Sequence, residues 1–406
     1  MKRNRKFGLM WVLAVATALP MSAQNFSVSS GATGTQNTRV YRDGSSWVEE
    51  TTGTLASATS LRVNTDMGSI SVQGGSQNDI TYTIRKRASG DSEESAKRAF
   101  AEFSISTANR GGQAVIEGTS GRRHGRFNVD FQVRVPRDLR QVRANTEGGS
   151  LAMSNLGGQV DAHSGGGSFK LSDISGALTA DTGGGSIDAS NVTNISSLRT
   201  GGGSIRITGA KGKVRAMTGG GSIKVSGASD AVTAETGGGS VQVSDCRSDV
   251  RVITGGGSID VGDVGGSTKV ETGGGSIHLI SASGPVVANT GGGSIELYKL
   301  KQSARAETGA GSITAEFLSV QSDSSLRTSA GDVIVYLSPQ AKVTIRAELE
   351  MANGHKIRSD FPEIKITSEG GDWGPRNYRA DGSLNGGGPV LRISAMSGNI
   401  ELRRAK

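Results

Sequence analysis

Cysteine, aromatic residues and long apolar runs are all scarce in this chain of 406 residues. The single cysteine, Cys246, excludes an internal disulfide framework, so burial and backbone pairing must stabilise the fold. Aromatic residues make up 4% of the chain while glycine occurs 62 times, and a globular enzyme core filled by large side chains does not fit this composition. Beyond Ala23 no stretch approaches the roughly 18 apolar residues of a transmembrane helix, so no transmembrane anchor is expected.

The N-terminal segment through Ala23 has the pattern of a secretory signal peptide. Four basic residues precede an apolar run from Phe7 to Leu19, and Ser22-Ala23 offers a cleavage site. We therefore expect an exported protein that resides in the periplasm, at the cell surface or outside the cell. Removing the leader lowers the net charge from +8 to +4, with 41 basic against 37 acidic residues. This balance does not require a nucleic acid or another specific polyanion as partner.

An 18-residue repeat dominates the chain. A Gly-Ser step, in most copies part of Gly-Gly-Gly-Ser-Ile, recurs ten times without an insertion, at Ser150, Ser168, Ser186, Ser204, Ser222, Ser240, Ser258, Ser276, Ser294 and Ser312. Such strict spacing indicates that each copy occupies the same place in a stack, because a slip would misalign all later side chains.

Apolar and polar residues alternate after each of these serines. The first position is apolar in every copy, and it supplies the predicted core residues Ile187, Ile205, Ile223, Val241, Ile259, Ile277 and Ile295. The next position is usually polar, as at Lys224, and the one after it is apolar again. A period of two predicts a strand with one buried face. A second alternating strand, with Val214 and Ala216 in one copy, runs into a column of threonines.

Two columns of turn residues separate the strands. One is the predicted structural corner, which in three copies consists of Gly183, Gly184, Gly185, Ser186, Gly201, Gly202, Gly203, Ser204, Gly219, Gly220, Gly221 and Ser222. The other lies nine positions after each triplet, at Gly176, Asn194, Gly212, Asp230, Ser248, Gly266 and Gly284. At the corner we expect glycine to provide backbone freedom, and the stacked Thr and Ser hydroxyls to satisfy one another.

Two strands and two tight turns per repeat predict an all-β fold, a parallel β-solenoid (β-helix-like) with 18-residue coils. Equivalent strands would pair at about 4.8 Å, and ten coils would make a rod of roughly 50 Å. An antiparallel array is the alternative, but the constant repeat length favours stacking. A left-handed helix with three six-residue sides has the same coil length, yet two turn columns are found rather than three.

The sequence divides into five segments: a signal peptide (1–23), a partly disordered N-terminal segment (24–60), an N-terminal β region (61–145), the regular solenoid (146–335), and C-terminal β repeats with a cap (336–406). One short helix is predicted near 91–103, because Asp91 and Glu94 have the spacing of a capping box.

Several flanking features agree with one known group of proteins. They are Gly68-Ser69-Ile70-Ser71-Val72, a basic strand followed by an acidic helix, Val133-Arg134-Val135-Pro136, Gly386-Gly387-Gly388 and Gly398-Asn399-Ile400. With them the chain, from about Leu61 to Arg403, resembles the bacterial family of uncharacterised exported β-strand repeat proteins labelled putative adhesins. The resemblance implies a solenoid exported to the envelope or surface, and it brings no catalytic residues.

No catalytic, cofactor or metal site is predicted. The glycine triplets lack the helix and the Lys that a phosphate-binding loop needs. Corners of calcium-binding solenoids carry Asp after the glycines, and here only Asp332 does. Asp188 and Asp260 share a column but would lie about 19 Å apart, too far for paired carboxylate catalysis. The scattered histidines, among them His124, favour no metal cluster.

Three classes of function remain. We expect a non-catalytic adhesin or interaction scaffold of the envelope or surface, whose partner is an unidentified protein or polysaccharide. A carbohydrate-active solenoid enzyme and a purely structural envelope component are the alternatives. The ligand, the handedness and the oligomeric state do not follow from the sequence. Cys246, which falls in an apolar column, is expected to be a small buried side chain.

Overall fold

The computed structural model describes residues 36–90, 92–121, 127–369 and 377–405. These residues form 34 strands and one helix, so the fold is all-β. Most strands pair in parallel within one large, nearly closed sheet, which gives a solenoid-like architecture. The predicted signal peptide lies outside the described residues.

The N-terminal part contains eight strands and the helix: β1 (Gln36–Asp43), β2 (Ser46–Leu55), β3 (Ser60–Thr65), β4 (Ser69–Gly75), β5 (Ile80–Ser89), α1 (Glu93–Phe100), β6 (Phe103–Arg110), β7 (Gln113–Ser120) and β8 (Phe127–Pro136). Strands β1, β2, β5 and β8 pair antiparallel in this order, and β8 then pairs in parallel with β4. The segment 24–60, expected to be partly disordered, thus contains a β hairpin from residue 36 onward.

The helix is shorter than predicted and is capped by a different residue. Ser92 is the N-cap, and its hydroxyl accepts a hydrogen bond from the backbone N–H of Ser95 at 3.3 Å. Asp91, the predicted cap, lies outside the described residues. The predicted end near 103 is wrong because Phe103 already begins β6, where its ring packs edge-on against Phe127 at 6.1 Å.

Twenty strands make up the central part: β9 (Gln141–Thr146), β10 (Leu151–Leu156), β11 (Gln159–Ser164), β12 (Phe169–Thr182), β13 (Ile187–Thr200), β14 (Ile205–Ala210), β15 (Val214–Thr218), β16 (Ile223–Ala228), β17 (Val232–Thr236), β18 (Val241–Cys246), β19 (Val250–Thr254), β20 (Ile259–Val264), β21 (Thr268–Thr272), β22 (Ile277–Ala282), β23 (Val286–Thr290), β24 (Ile295–Leu300), β25 (Ala304–Ala310), β26 (Ile313–Phe317), β27 (Ser324–Ala330) and β28 (Val333–Leu337).

Equivalent residues of successive repeats are direct partners in this part. Ile205 pairs with Ile223 and Ile223 with Val241 along one side of the stack. Val214 pairs with Val232 along the other. The alternating residues therefore point into one continuous interior, where the seven predicted core residues from Ile187 to Ile295 are each at most 1% exposed.

A third bend interrupts most of the repeats between their two turn columns. Five positions after the serine column the backbone has a positive φ in seven of the ten copies, at Asn155, Asp173, Asn191, Gly209, Gly227, Asp245 and Lys299. The prediction of only two turn columns missed this bend. Its signal was nevertheless present, because six of these seven residues are Asn, Asp or Gly, which adopt a left-handed conformation most readily.

Six strands complete the C-terminal part: β29 (Val343–Leu349), β30 (Ile357–Ser359), β31 (Lys365–Glu369), β32 (Asn377–Leu384), β33 (Val390–Ser397) and β34 (Ile400–Arg404). Strand β33 lies between β27 and β29, and β34 lies between β28 and β30. Strands β33 and β34 are the last two in the sequence, but in the stack they come before β29 and β30.

The N-terminal end is interleaved in the same way. Strands β3 and β4 lie between β7 and β9 and between β8 and β10, respectively. Each end of the stack thus depends on pairing between segments that are distant in sequence, which the regular repeats do not require.

Candidate functional site

The glycine corner is a feature of close packing between repeats. A Cβ on Gly219 would lie 2.3 Å from the Gly201 carbonyl oxygen of the preceding repeat, and one on Gly221 would lie 2.1 Å from that of Gly203. A Cβ on the middle glycine, Gly220, would meet nothing within 4 Å. None of the three has a positive φ. The expected reason, backbone freedom, is therefore wrong for these glycines, and clearance between coils replaces it.

Threonine hydroxyls connect each corner to the previous one through hydrogen bonds. The Thr218 hydroxyl donates to the Gly203 carbonyl at 2.7 Å and accepts from the Gly221 N–H at 3.2 Å. The same donation recurs in every repeat from Thr182 to Thr308. This column does not form the expected hydroxyl–hydroxyl ladder, since each of these hydroxyls donates to a glycine carbonyl instead.

The corner serines add a parallel set of contacts. The Ser204 N–H donates to the Ser186 hydroxyl at 3.2 Å, and the Ser222 N–H donates to the Ser204 hydroxyl at 3.3 Å. The predicted corner residues are thus brought together along one edge, where their polar groups bond to one another and to the backbone. Their chemistry is structural.

Other side chains that could carry chemistry are dispersed. Within the described ranges, no three His, Cys, Asp or Glu side chains come together as metal ligands would. Cys246 is 3% exposed, and burial raises the pKa of its thiol. The basic loop around His124 lies outside the described residues. Glu271 forms an ion pair with Lys269 of its own strand at 3.0 Å.

A groove of about 660 Å³ lies on the outer face where the C-terminal strands interleave. We call it the arginine groove. Five adjacent strands, β25, β27, β33, β29 and β32, form its floor. One row of paired residues across them is Arg305, Ser325, Arg392, Arg346 and Asp381. The next row on the same face is Glu307, Arg327, Ser394, Glu348 and Arg379.

Two of the five arginines of the groove form ion pairs. Arg379 contacts Glu348 at 3.2 Å, and Arg392 contacts Asp323 at 3.2 Å. The backbone N–H of Val390 and the Arg392 guanidinium lower the pKa of Asp323. Among the ion pairs of the described residues, none includes Arg305, Arg327 or Arg346, and all three side chains are exposed.

Sequence reasoning missed this groove. Arg305 and Arg327 belong to recognisable repeat columns, but Arg346, Arg379 and Arg392 come from the looser tail, whose pairing partners no regular spacing gives. Only the insertion of β33 between β27 and β29 brings Arg392 beside Arg346.

A smaller aromatic patch lies on the other side of the stack. Tyr298, Glu316 and Tyr336 lie on successive strands β24, β26 and β28. The ring of Tyr298 meets that of His278 edge-on at 5.8 Å. Burial raises the pKa of Tyr298, and the nearby Glu296 carboxylate adds to this effect. Two of the five tyrosines of the chain thus share this patch.

Comparisons with known proteins give little further guidance. No protein-family model matches the chain, and no curated protein matches it. Among solved structures, a "putative cell adhesion protein" from Clostridium sporogenes is 9% identical, with 92% of this chain and 100% of that chain covered at a TM-score of 0.17. A "putative adhesin" from Bacteroides fragilis is 10% identical, with 88% and 97% covered at a TM-score of 0.23.

A "putative lipid binding protein" from Parabacteroides distasonis is 12% identical, with 71% of this chain and 96% of that chain covered at a TM-score of 0.23. All three TM-scores are too low to bear on fold or function, so the family resemblance stays a prediction. Among the described residues, no helix has the length and apolar character needed to cross a membrane.

Proposed function

We propose that this chain is an exported, non-catalytic β-solenoid of 18-residue, two-strand coils that serves as an adhesive or interaction scaffold in the cell envelope or at the surface. The observation that carries the proposal is the arginine groove, a concave polar surface displayed on hydrogen-bonded strands. Sites built on strands hold their side chains in more fixed positions than sites on loops. The corner threonines, which bond successive coils to each other, add to this rigidity.

A carbohydrate-active enzyme is the second candidate. Glu348 and Asp381 lie in the arginine groove, and glycoside hydrolysis uses paired carboxylates. The ion pair between Glu348 and Arg379 favours the scaffold, because a carboxylate held by a guanidinium is a poor general acid. The repeat columns offer no better pair, since Asp188 and Asp260 lie four strands apart, roughly 19 Å.

One experiment tests the scaffold against the enzyme. The protein without its predicted signal peptide, residues 24–406, is incubated with purified bacterial cell envelope, and both bound protein and released reducing ends are measured. We expect saturable binding without release of sugar. Release of reducing ends would identify the enzyme, and absence of saturable binding would contradict the scaffold.

A further inference from the structure

Resting on this proposed function, we propose that the arginine groove binds an acidic polysaccharide, whose uronic acid carboxylates pair with Arg305, Arg327 and Arg346. These three guanidinium groups are exposed and take part in no ion pair of the described residues, whereas Arg379 and Arg392 already contact carboxylates. Arginine binds a carboxylate through two parallel hydrogen bonds, so each free guanidinium is a complete site for one uronic acid.

The strand spacing distributes these sites along the groove. Arg305 lies on β25, Arg327 on the adjacent β27, and Arg346 two strands further, on β29. At about 4.8 Å per strand the outermost two are separated by roughly 14 Å. A single small anion could contact one of them, whereas an extended polymer with repeated carboxylates could engage all three.

The rest of the groove favours a saccharide over a peptide. Ala306, Ala347 and Ile393, between the two rows, point into the core and are buried, so only polar side chains face the groove. Ser325 and Ser394 add hydroxyl groups, and Glu307 adds a carboxylate. Donors and acceptors together suit the hydroxyls of sugars, while a peptide would find no exposed apolar side chain against which to pack its own anchoring side chains.

A nucleic acid fits less well. The four carboxylates of the groove, Glu307, Glu348, Glu350 and Asp381, can accept hydrogen bonds from sugar hydroxyls, whereas the phosphate backbone of DNA offers no such donors. The groove also contains no aromatic side chain on which bases could stack, among the residues that the structure describes. A polymer whose residues carry both carboxylates and hydroxyl groups matches this mixture of arginines and carboxylates better.

Affinity electrophoresis tests the proposal, with the protein run through gels that contain polygalacturonate or neutral dextran. The groove variant is Arg305→Gln with Arg346→Gln. Its matched control is Arg215→Gln with Arg251→Gln, which removes the same charge from the same exposed column as Arg305, but outside the groove. Thermal melting confirms that both variants fold.

We expect polygalacturonate, but not dextran, to retard the wild-type protein and the control variant, with affinity at least about tenfold lower for the groove variant. Equal losses in both variants would mean that net charge governs binding, and equal retardation by dextran would point to the aromatic patch around Tyr298 and Tyr336. Either result overturns the proposal. If the groove variant fails to lose affinity while the wild type still binds envelope, the scaffold function stands and only the groove assignment falls.

Discussion

Gly220 and Gly221 are neighbours in one triplet but have opposite surroundings. A Cβ on Gly221 would lie 2.1 Å from the Gly203 carbonyl oxygen, whereas a Cβ on Gly220 would point into open space. We expect Gly221→Ala to lower the free energy of unfolding by about 1–3 kcal/mol, because adjacent coils must separate. Gly220→Ala should be neutral or stabilise by up to about 1 kcal/mol, since alanine restricts the unfolded chain. Chemical denaturation measures both, and equal destabilisation would contradict the steric account.

The surroundings of Glu50 allow a second test at the scale of single residues, through the pH dependence of stability. Burial alone would raise the pKa of its carboxyl, but hydrogen bonds from Arg85 at 2.7 Å and from Arg39 at 2.9 Å outweigh burial and lower that pKa. The folded protein therefore binds this proton less tightly than the unfolded chain does. The ionised Glu50 carboxylate therefore stabilises the fold above the unfolded pKa of about 4.3. This stabilisation is lost as the pH falls through the lower pKa of the folded protein.

The variant Glu50→Gln should accordingly be less stable than wild type by about 1–3 kcal/mol at pH 7. The difference should shrink as both proteins are acidified below about pH 4. Glu93→Gln is the control, because Glu93 forms only an exposed helical ion pair with Lys97. A Glu50→Gln deficit that stayed constant down to pH 3 would show that packing, and not charge, holds this site.

At the scale of strands, the register decides which side chains are buried. Ile223 is 1% exposed and pairs with Ile205, while the next residue, Lys224, is exposed on the outer face of β16. We expect Ile223→Asp to abolish cooperative thermal unfolding, because it buries an unpaired charge at a cost of several kcal/mol. Lys224→Asp should change stability by less than about 0.5 kcal/mol. Similar melting temperatures for the two variants would mean that the register is shifted.

Strands were predictable where the sequence repeats, and much less so elsewhere. Period-two alternation and constant spacing were enough to predict the pairing of Ile205 with Ile223, because one register satisfies every repeat at once. The placement of β34 between β28 and β30 depends on long-range partners that leave no periodic trace. The arginine groove is built where such strands interleave, so the repeat pattern could not predict it either. Ser92 caps the helix instead of the predicted residue. The sequence did not distinguish the two, because adjacent Asp and Ser residues can each act as an N-cap.

At the scale of the whole molecule, the regular repeats should be removable in whole units. Deleting residues 201–236, which are two repeats, joins Thr200 to Gly237 and leaves every column aligned. We expect this variant to keep its β-type circular dichroism spectrum and cooperative unfolding, since each coil contacts only its neighbours. Its affinity for polygalacturonate should also persist, because the groove begins at Arg305.

Deleting only residues 201–209 is the matched comparison, because half a repeat would place one strand type where the other belongs. The apolar residues would then meet the wrong partners, and the threonine hydroxyls would lose the glycine carbonyls to which they donate, as Thr218 donates to Gly203. We expect this shorter deletion to unfold the chain or to yield an aggregating product, although it removes fewer residues. If the half-repeat variant melted as cooperatively as the two-repeat variant, the 18-residue coil would not be the unit of this stack. If instead the two-repeat deletion alone abolished polymer binding in a folded protein, binding would belong to the repeated outer columns and not to the groove.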